Sequence, residues 1–361
     1  MQDRLPVAII GMGGVGRATL EALLSSDVVR VVGLGDRDRL TAERAGEDFN
    51  VPAFTDNRRL IIEAAPAAVY LAVPPAAAPD IVAACAKHGL HVWKELPLAR
   101  NLREGAAMVH RMDAAGLKFA VGTQRRFTTS YGRASQLCGR LGRVFLARAH
   151  YLFNWGGELD WRGDKASAGG GALLELGYHA VDLLVWLLGL PETVFCHCAG
   201  ANRPQLPRGG KEPQPPYDTD DTAATLLQYA DECVASIVTS RSSGPVSEEL
   251  SLHGRDGSLT ANSETCTLRD PDGNVLNRVA DESAPIELFR RQGEAFARSV
   301  LADAGKYQCS ARENLLNLAV IDAMYLSDRT RQPENPSRLL HTNALSVDEC
   351  LACRPLPEQG D

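Results

Sequence analysis

Two side chains that could move a proton stand four residues apart in the stretch GALLELGYHAVDLLVW, at Glu175 and His179. We predict a helix from about Ala172, so that these residues share a face, with Asp182 one turn further on. The other positions are mostly Leu, Val and Trp, which would bury the helix. Burial and a neighbouring charge can tune an imidazole for proton transfer near neutral pH, so the pattern indicates an acid/base site. The alternative is an ion pair that only holds two domains together.

A glycine-rich loop, GMGGVG, follows an apolar run at residues 6–10 and precedes a helix-like stretch. In a dinucleotide-binding turn of this spacing, the first glycine permits the tight turn and the second lets the backbone approach a pyrophosphate. The third glycine lets the helix pack on the strand. The free N–H groups at the helix N-terminus then bind the phosphates. The candidate cofactor-binding residues of this loop are Gly11, Met12, Gly13, Gly14, Val15 and Gly16.

Asp36 ends the next apolar run. A carboxylate at this position accepts hydrogen bonds from the ribose hydroxyls of NAD and would repel the 2′-phosphate of NADP. Arg37 has the opposite tendency, because a guanidinium could stack on adenine or bind that phosphate. We therefore expect NAD as the cofactor, with NADP less favoured. The alternative is a tight turn with an exposed acid.

These residues need a parallel sheet to position them. Apolar runs at residues 6–10, 28–36, 67–75, 88–95 and 117–124 alternate with helix-like stretches. Such alternation predicts an α/β fold whose parallel sheet is covered on both faces, here a Rossmann dinucleotide-binding domain over residues 1–122. Pro74 and Pro75 are predicted to hold a loop open at the carboxyl edge of this sheet, where a nicotinamide ring would lie.

The second half of the chain has a different pattern. Strand-like runs at 142–155, 192–200, 221–230, 233–241, 248–254 and 257–263 are separated by turns, which predicts a mainly antiparallel sheet. Helix-like stretches return at 286–303 and 311–330, and the Pro- and Gly-rich residues 201–221 are predicted to form a long loop. We expect an α/β domain for substrate binding and oligomerisation over residues 123–345, followed by a C-terminal tail at 346–361.

The composition of the chain indicates which classes of binding partner and which cellular compartment to expect. A net charge of −7 argues against nucleic acid or an anionic membrane as the main partner. We expect no membrane span, because no apolar run is long enough, and no signal peptide, because the first residues lack a charged-then-apolar pattern. Nine scattered cysteines are typical of reduced thiols, so we expect a cytoplasmic protein. Cys196-His197-Cys198 lies in a strand-like run in which neighbouring side chains point to opposite faces. Cys350 and Cys353 lie in a polar tail with no partner pair at metal-site spacing, so we expect no metal.

Taken together, these motifs resemble the Gfo/Idh/MocA oxidoreductase family. The resemblance rests on GMGGVG, on VWKELPLA, on QRRF after the last strand of the parallel sheet, and on WRGD followed by GGGALLELGYHAVD. It also includes DDTAATL and GRDGSL, so it spans nearly the whole chain. The resemblance implies NAD(P)-dependent oxidation of a sugar or cyclitol hydroxyl, or the reverse reaction. It makes His179 the candidate acid/base and puts Glu175 in the place of the family's aspartate.

The chain departs from the family pattern at the Glu-Lys-Pro motif, where it reads Glu95-Leu96-Pro97. Lys94 lies two residues before the missing lysine. On an extended segment it would point the same way as residue 96 and could replace that ammonium. A bend before Pro97 would instead turn Lys94 out of the cleft, and His179 would act without a lysine. Both alternatives are carried forward, with Glu95 assigned to the cofactor.

Four further residues are candidate substrate contacts, each with an interdomain packing role as its alternative. They are Arg126, Trp161, Arg162 and Tyr178, because guanidinium groups bind hydroxyls or carboxylates and aromatic faces stack on sugars. We expect a small polyol or sugar substrate and a homodimer or homotetramer formed through the C-terminal sheet. Two other functions stay open: a glycoside hydrolase or lyase that oxidises its sugar transiently with NAD, and a non-catalytic NAD-binding regulator.

Overall fold

The computed structural model describes residues 4–156, 159–200 and 217–355. Its N-terminal part contains a parallel sheet of six strands, β1 (Leu5–Ile10), β2 (Val29–Gly35), β3 (Ala53–Phe54), β4 (Ala68–Leu71), β5 (His91–Glu95) and β6 (Phe119–Gly122). Their order across the sheet is β3-β2-β1-β4-β5-β6. The strand order reverses between β1 and β4, and the carboxyl edge at such a point is where open α/β sheets bind ligands. The predicted doubly wound sheet is confirmed. Only β3 was missed, because two residues carry no periodic signal.

Five helices connect these strands and cover the sheet. They are α1 (Gly14–Leu24), α2 (Arg39–Phe49), α3 (Asn57–Glu63), α4 (Ala78–Lys87) and α5 (Leu102–Ala114). Side-chain oxygens of Asp38, Asp56 and Asn101 cap α2, α3 and α5, each accepting a backbone N–H of the first turn. By contrast, α1 begins after Gly13 and has no side-chain cap. Its first N–H groups are therefore left for another acceptor.

The second sheet is mainly antiparallel, as predicted. Its eight strands are β7 (Val144–Asn154), β8 (Thr193–Ala199), β9 (Thr222–Gln228), β10 (Val234–Ser240), β11 (Ser242–Gly254), β12 (Gly257–Ala261), β13 (Thr265–Arg269) and β14 (Val275–Ala280). Their order is β14-β13-β12-β11-β7-β10-β9-β8, and only β7 and β10 pair in parallel. The sequence did not predict β13 and β14.

Eight more helices complete the described chain. They are α6 (Thr129–Leu137), α7 (Lys165–Ala168), α8 (Ala172–Glu175), α9 (Gly177–Leu188), α10 (Pro285–Leu301), α11 (Ala311–Thr330), α12 (Pro336–Thr342) and α13 (Val347–Leu351). The single helix predicted from Ala172 is broken at Leu176 into α8 and α9. Among the described residues, no single helix is long and apolar enough to cross a membrane, although the bent pair Lys165–Glu175 and Gly177–Leu188 passes on length and composition alone.

The domain limits stay a prediction, and two segments from beyond them pack on other parts of the chain. α10 lies on the N-terminal sheet, where Gly293 comes close to Leu23 and Trp93 and Gln292 donates to the Val121 carbonyl at 3.1 Å. The segment predicted as a C-terminal tail contains α13, whose Cys350 is fully buried. The packing of α10 and the burial of Cys350 both depend on segments that are distant in sequence, which a local pattern does not reveal. The predicted loop falls largely on residues 201–216, which lie outside the described residues.

Candidate active site

The glycine loop after β1 has the conformation that its spacing predicted. Gly11 has a φ of +96°, and a Cβ there would lie 2.2 Å from the Ala72 carbonyl oxygen. A Cβ on Gly16 would lie 1.8 Å from the Gly11 oxygen. Neither position can hold a larger residue, because the backbone atoms they meet cannot move aside. These two glycines shape the turn and bring α1 close to β1.

Gly13 and Gly14 have the opposite environment. A Cβ on either would meet no atom within 4 Å, so the loop leaves open space beside the uncapped start of α1. Free N–H groups and the positive end of the helix dipole at such a surface suit a pyrophosphate. The loop therefore fits the phosphates of a dinucleotide.

Asp36 lies at the end of β2, next to this loop. Its Oδ2 accepts the Met12 N–H at 2.7 Å and its Oδ1 accepts the Asp38 N–H at 2.9 Å. The carboxylate is therefore fixed at the edge of the glycine loop, where a ribose hydroxyl could reach it. Arg37 beside it is exposed.

Glu95 and Pro74 lie at the carboxyl edge of the same sheet. Pro74 precedes the 3₁₀ turn Pro75–Ala77 that leads into α4. Glu95 ends β5, and its Oε2 accepts the Tyr70 hydroxyl at 2.8 Å. Burial raises the pKa of the Glu95 carboxyl to about 7, while the Tyr70 hydrogen bond opposes that rise. Glu175 from the second domain also raises this pKa, so the two carboxyl groups are within electrostatic reach of each other.

Lys94 does not lie free in the cleft. Its side chain is 1% exposed, and its ammonium donates to the carbonyl oxygens of Glu95 at 2.8 Å and Pro97 at 2.6 Å. Burial lowers the pKa of this ammonium to about 8. The geometry favours the alternative in which Lys94 is turned away, because both contacts hold the backbone of the Glu95–Pro97 turn.

Glu175 is held by Arg162. The Arg162 Nε donates to Glu175 Oε1 at 2.7 Å, and the same guanidinium lies over the rings of Trp161 and Trp155, 4.5 and 5.4 Å from their centroids. Burial raises the pKa of the Glu175 carboxyl, and Arg162 opposes that rise. Trp161 and Arg162 are partly exposed, as substrate contacts require.

His179 has a different set of neighbours from Glu175. Its ring stacks on Tyr151 with centroids 5.4 Å apart and planes at 18°, and the side chain is partly exposed. The Nδ1 atom is buried without a hydrogen-bond partner. Burial, with a contribution from Arg125, lowers the pKa of the imidazole to about 3. Glu175, the acid expected to share a face with this imidazole, pairs instead with Arg162.

Two predicted substrate contacts are packing residues. Arg126 is 6% exposed and donates to both Asp182 oxygens, at 2.9 and 2.6 Å, and to Glu313 at 2.7 Å. Tyr178 is fully buried, and its hydroxyl donates to Asn314 at 2.9 Å. Both side chains point to α11 because their polar partners lie there or on the far side of α9. These contacts all lie within residues 123–345, so both side chains pack inside the second domain.

Arg125 is the residue that sequence reasoning missed. Its guanidinium forms an ion pair with Glu248 at 2.5 Å and contributes to the lowered pKa of His179. The motif QRRF contains both arginines, and nothing in the sequence distinguishes them. The structure distinguishes them, because Arg126 pairs with Asp182 of α9 and Glu313 of α11, whereas Arg125 pairs with Glu248 of β11.

Comparisons with known proteins agree with this geometry. Residues 5–123 match the model of the oxidoreductase family with an NAD-binding Rossmann fold, and residues 137–260 match the GFO/IDH/MocA C-terminal domain. A levoglucosan dehydrogenase from Pseudarthrobacter phenanthrenivorans is 28% identical over 291 residues, which is 73% of this chain and 74% of the relative. A D-xylose 1-dehydrogenase (NADP(+)) of Haloferax volcanii is 26% identical over 336 residues, 89% of this chain and 97% of the relative.

Solved structures share the fold. A levoglucosan dehydrogenase in complex with NADH and levoglucosan superimposes with a TM-score of 0.83 at 21% identity, covering 92% of this chain and 99% of the other. An oxidoreductase domain protein from Kribbella flavida gives a TM-score of 0.83 at 22% identity, covering 93% and 99%. At these identities the likeness shows the two-domain architecture.

Proposed function

Because the chain belongs to the Gfo/Idh/MocA oxidoreductase family, whose N-terminal domain is an NAD-binding Rossmann fold, we propose that it is a sugar or polyol dehydrogenase. Its reaction would move a hydride between nicotinamide and the hydroxyl-bearing carbon of a sugar, cyclitol or related polyol. The observation that carries this proposal is the convergence of Glu95 and Glu175. One ends a strand of the dinucleotide-binding sheet, the other belongs to the second domain, and the charge of Glu175 raises the pKa of the Glu95 carboxyl.

The cofactor would be held by the glycine loop and by Asp36. NAD, when bound, supplies the hydride acceptor or donor. The open space at Gly13 and Gly14 suits its pyrophosphate, and the fixed carboxylate of Asp36 suits its ribose hydroxyls. A 2′-phosphate would meet the negative charge of Asp36, so NAD is the proposed physiological form. Glu95 and Pro74 would border the nicotinamide end.

His179 is the proposed acid/base. Its Nδ1 is buried, so Nε2 is the ring nitrogen that would exchange a proton with a substrate hydroxyl. The lowered pKa keeps the imidazole neutral near pH 7, so Nε2 carries a free lone pair, while a pKa of about 3 makes it a weaker base than an unperturbed histidine. Glu175 and Arg162 would bind substrate hydroxyls as a fixed pair, and Trp161 would offer an apolar face to sugar C–H groups.

The charge balance of the site supports an uncharged substrate. Arg162 pairs with Glu175, Arg125 with Glu248 and Arg241 with Asp221. Every one of these guanidinium groups already has a carboxylate, and Lys94 is held by carbonyl oxygens. A phosphate or carboxylate on the substrate would have to compete with these partners.

The open face of the second sheet is the proposed oligomer interface. On this face Phe195, Leu226, Val234 and Val238 are 42%, 63%, 51% and 41% exposed, and Phe195 pairs with Leu226 across β8 and β9. The opposite face of the sheet is buried under helices. An apolar surface of this kind favours association, so we propose a homodimer or homotetramer formed through this sheet.

The test is an NAD-reduction screen across neutral sugars, cyclitols and glycosides, with mass spectrometry of the products. We expect NADH to form in proportion to a ketone or lactone product, with the carbon skeleton and glycosidic bonds intact. Bond cleavage without net NADH would instead identify a hydrolase or lyase that oxidises its sugar transiently. Tight NAD binding with no product from any compound would favour the non-catalytic NAD-binding regulator.

A further inference from the structure

The Arg162–Glu175 pair is held in place by two consecutive residues from a distant part of the chain. Thr219 and Asp220 lie just before β9. The Thr219 hydroxyl contacts the backbone of the turn that carries Arg162, and the Asp220 carboxylate contacts the backbone of the helix that carries Glu175. Neighbouring side chains therefore hold the two partners of one ion pair.

Asp220 supplies the hydrogen-bond acceptors for the start of α8. Its Oδ1 accepts the Gly171 N–H, its Oδ2 accepts the Leu173 N–H and its carbonyl oxygen accepts the Ala172 N–H, each at 2.8 Å. The helix has no side-chain cap of its own, because Gly171 stands at the capping position. A helix of four residues is too short to be stable alone. The position of Glu175, its last residue, therefore depends on Asp220.

Thr219 holds the other partner of the pair, Arg162. Its hydroxyl donates to the Arg162 carbonyl oxygen at 2.9 Å and accepts from the Arg241 Nη2 at 2.8 Å. Arg241 is 1% exposed and paired with Asp221, and its Nη1 donates to the same Arg162 carbonyl at 3.3 Å. The Trp155 N–H donates to the Arg241 carbonyl at 2.9 Å, which fixes the ring under the Arg162 guanidinium. The turn is therefore held through its backbone as well as through the Arg162 side chain.

The pair itself is joined through one atom of each partner. Arg162 donates from Nε to Oε1 of Glu175 at 2.7 Å, and the two side chains are 35% and 19% exposed. Within the described part of the chain, no other hydrogen bond reaches Glu175 Oε2 or the Arg162 Nη atoms. These atoms are left for a ligand that offers both donors and acceptors, as hydroxyls do. A ligand that meets groups already held in place loses less entropy on binding than one that must order mobile side chains.

We propose that Thr219 and Asp220 are positioning residues, which hold Arg162 and Glu175 as one rigid donor–acceptor unit for the hydroxyls of a sugar or polyol. The inference rests on the proposed function, in which this pair binds those hydroxyls. Each positioning residue acts through a backbone contact and not through the substrate. Loss of either contact should therefore weaken substrate binding more than it slows the chemical step.

The test is the kinetics of Thr219→Val and Asp220→Asn. Both variants keep the size of the side chain, but valine cannot donate to the Arg162 carbonyl and asparagine lacks one of the two carboxylate acceptors. The KM for a sugar or polyol identified by the NAD-reduction screen should rise by roughly tenfold in each variant, with kcat within about threefold and NAD affinity within about twofold.

Two controls separate positioning from a general loss of stability. Thr219→Ser keeps the hydroxyl and should restore the KM of the unmutated protein. Asp322→Ala removes another long-range contact between a carboxylate and a helix start, because Asp322 accepts the Leu102 N–H of α5 at 2.9 Å. It should lower stability and leave the KM unchanged. A KM that rises as much in Asp322→Ala as in Asp220→Asn would overturn the proposal.

A second readout does not depend on turnover. Hydrogen–deuterium exchange of the full chain with NAD bound reports on residues 161–163 and 171–173. Thr219→Val and Asp220→Asn should each accelerate exchange in both segments, because the adjacent anchors and the ion pair join them into one unit. Acceleration confined to the altered residue's own segment would overturn the proposal, as would an unchanged KM in both variants. If the unmutated protein oxidises no sugar, the proposed function fails, and the exchange result still decides the positioning role.

Discussion

The Asp36 carboxylate accepts the Met12 N–H at 2.7 Å across 24 positions of the chain. One side chain thus ties the end of β2 to the glycine loop and presents its charge where an adenosine ribose would lie. We therefore expect the choice between NAD and NADP to depend on this residue. Substitution of that residue therefore tests the cofactor assignment.

We expect NAD to bind at least tenfold more tightly than NADP, a difference of about 1.4 kcal/mol, and Asp36→Ala to remove most of that preference. The variant should also weaken NAD binding, because the Met12 N–H loses its acceptor. Dissociation constants of both dinucleotides, measured by calorimetry, check this. Arg37→Ala is the matched control and should keep the preference. Equal affinities in the unmutated protein would mean that Arg37 dominates.

Lys94→Met should lower stability without changing the pH–rate profile. The Glu95 and Pro97 carbonyl oxygens lose their buried donor, which costs roughly 1–3 kcal/mol. Since the ammonium does not face the cleft, kcat per folded molecule should equal that of the unmutated protein. Chemical denaturation and a pH series of kcat measure the two effects.

Leu96→Lys is the companion to that variant, because residue 96 occupies the position of the family's lysine. We expect it to raise activity on simple polyols. A loss of tenfold or more in Lys94→Met, with folding and NAD affinity unaltered, would show instead that Lys94 supplies the missing ammonium.

The sequence predicted those features of the fold that depend on a local residue pattern. The strand–loop–helix around Gly11 was correct because its spacing is set within one βαβ unit, while the role of the Asp36 carboxylate beside that loop stays a prediction. The roles of Arg125 and Arg126 could not be separated, since the partners of Arg126 lie 56 and 187 positions away. The partner of Glu175 was also missed, because Arg162 lies 13 positions away, outside the helix that contains Glu175.

Glu95→Gln should change how stability depends on pH. The folded-state pKa of about 7 lies above the usual 4.5, so the stability that this group contributes is fully present below about pH 4.5 and is lost as pH rises through 7. The glutamine variant does not lose this stability as pH rises, because its side chain does not ionise. In the absence of cofactor it should be more stable than the unmutated protein at pH 8, by up to about 3 kcal/mol, and nearly equal at pH 4.5.

Thermal unfolding at the two pH values measures the difference. Tyr70→Phe is the matched control: it removes the hydrogen bond that opposes the raised pKa, so it should steepen the dependence on pH. If stability depended on pH in the same way in Glu95→Gln and in the unmutated protein, the Glu95 carboxyl would be ionised in the folded state at neutral pH, which would contradict this prediction.

Leu226→Asp should dissociate the oligomer. Leu226 is 63% exposed at the centre of the apolar face of the second sheet, where a carboxylate would be buried against a partner copy. Light scattering coupled to gel filtration should give a monomer for the variant and a dimer or tetramer for the unmutated protein. Leu40→Asp, at a residue 62% exposed on α2, is the control and should not change the mass. A monomeric unmutated protein would contradict the proposed interface.

The rate of NADH formation by His179→Asn tests the central claim most directly. With a sugar or polyol identified by the screen, single-turnover absorbance at 340 nm (a wavelength specific to reduced nicotinamide) should show a rate lower by roughly 10² to 10⁴ than in the unmutated protein. The NAD dissociation constant should stay nearly the same, because the glycine loop and Asp36, which are proposed to bind NAD, are unchanged in this variant. Undiminished NADH formation in this variant would contradict the account, since the proton of the substrate hydroxyl would then have another acceptor.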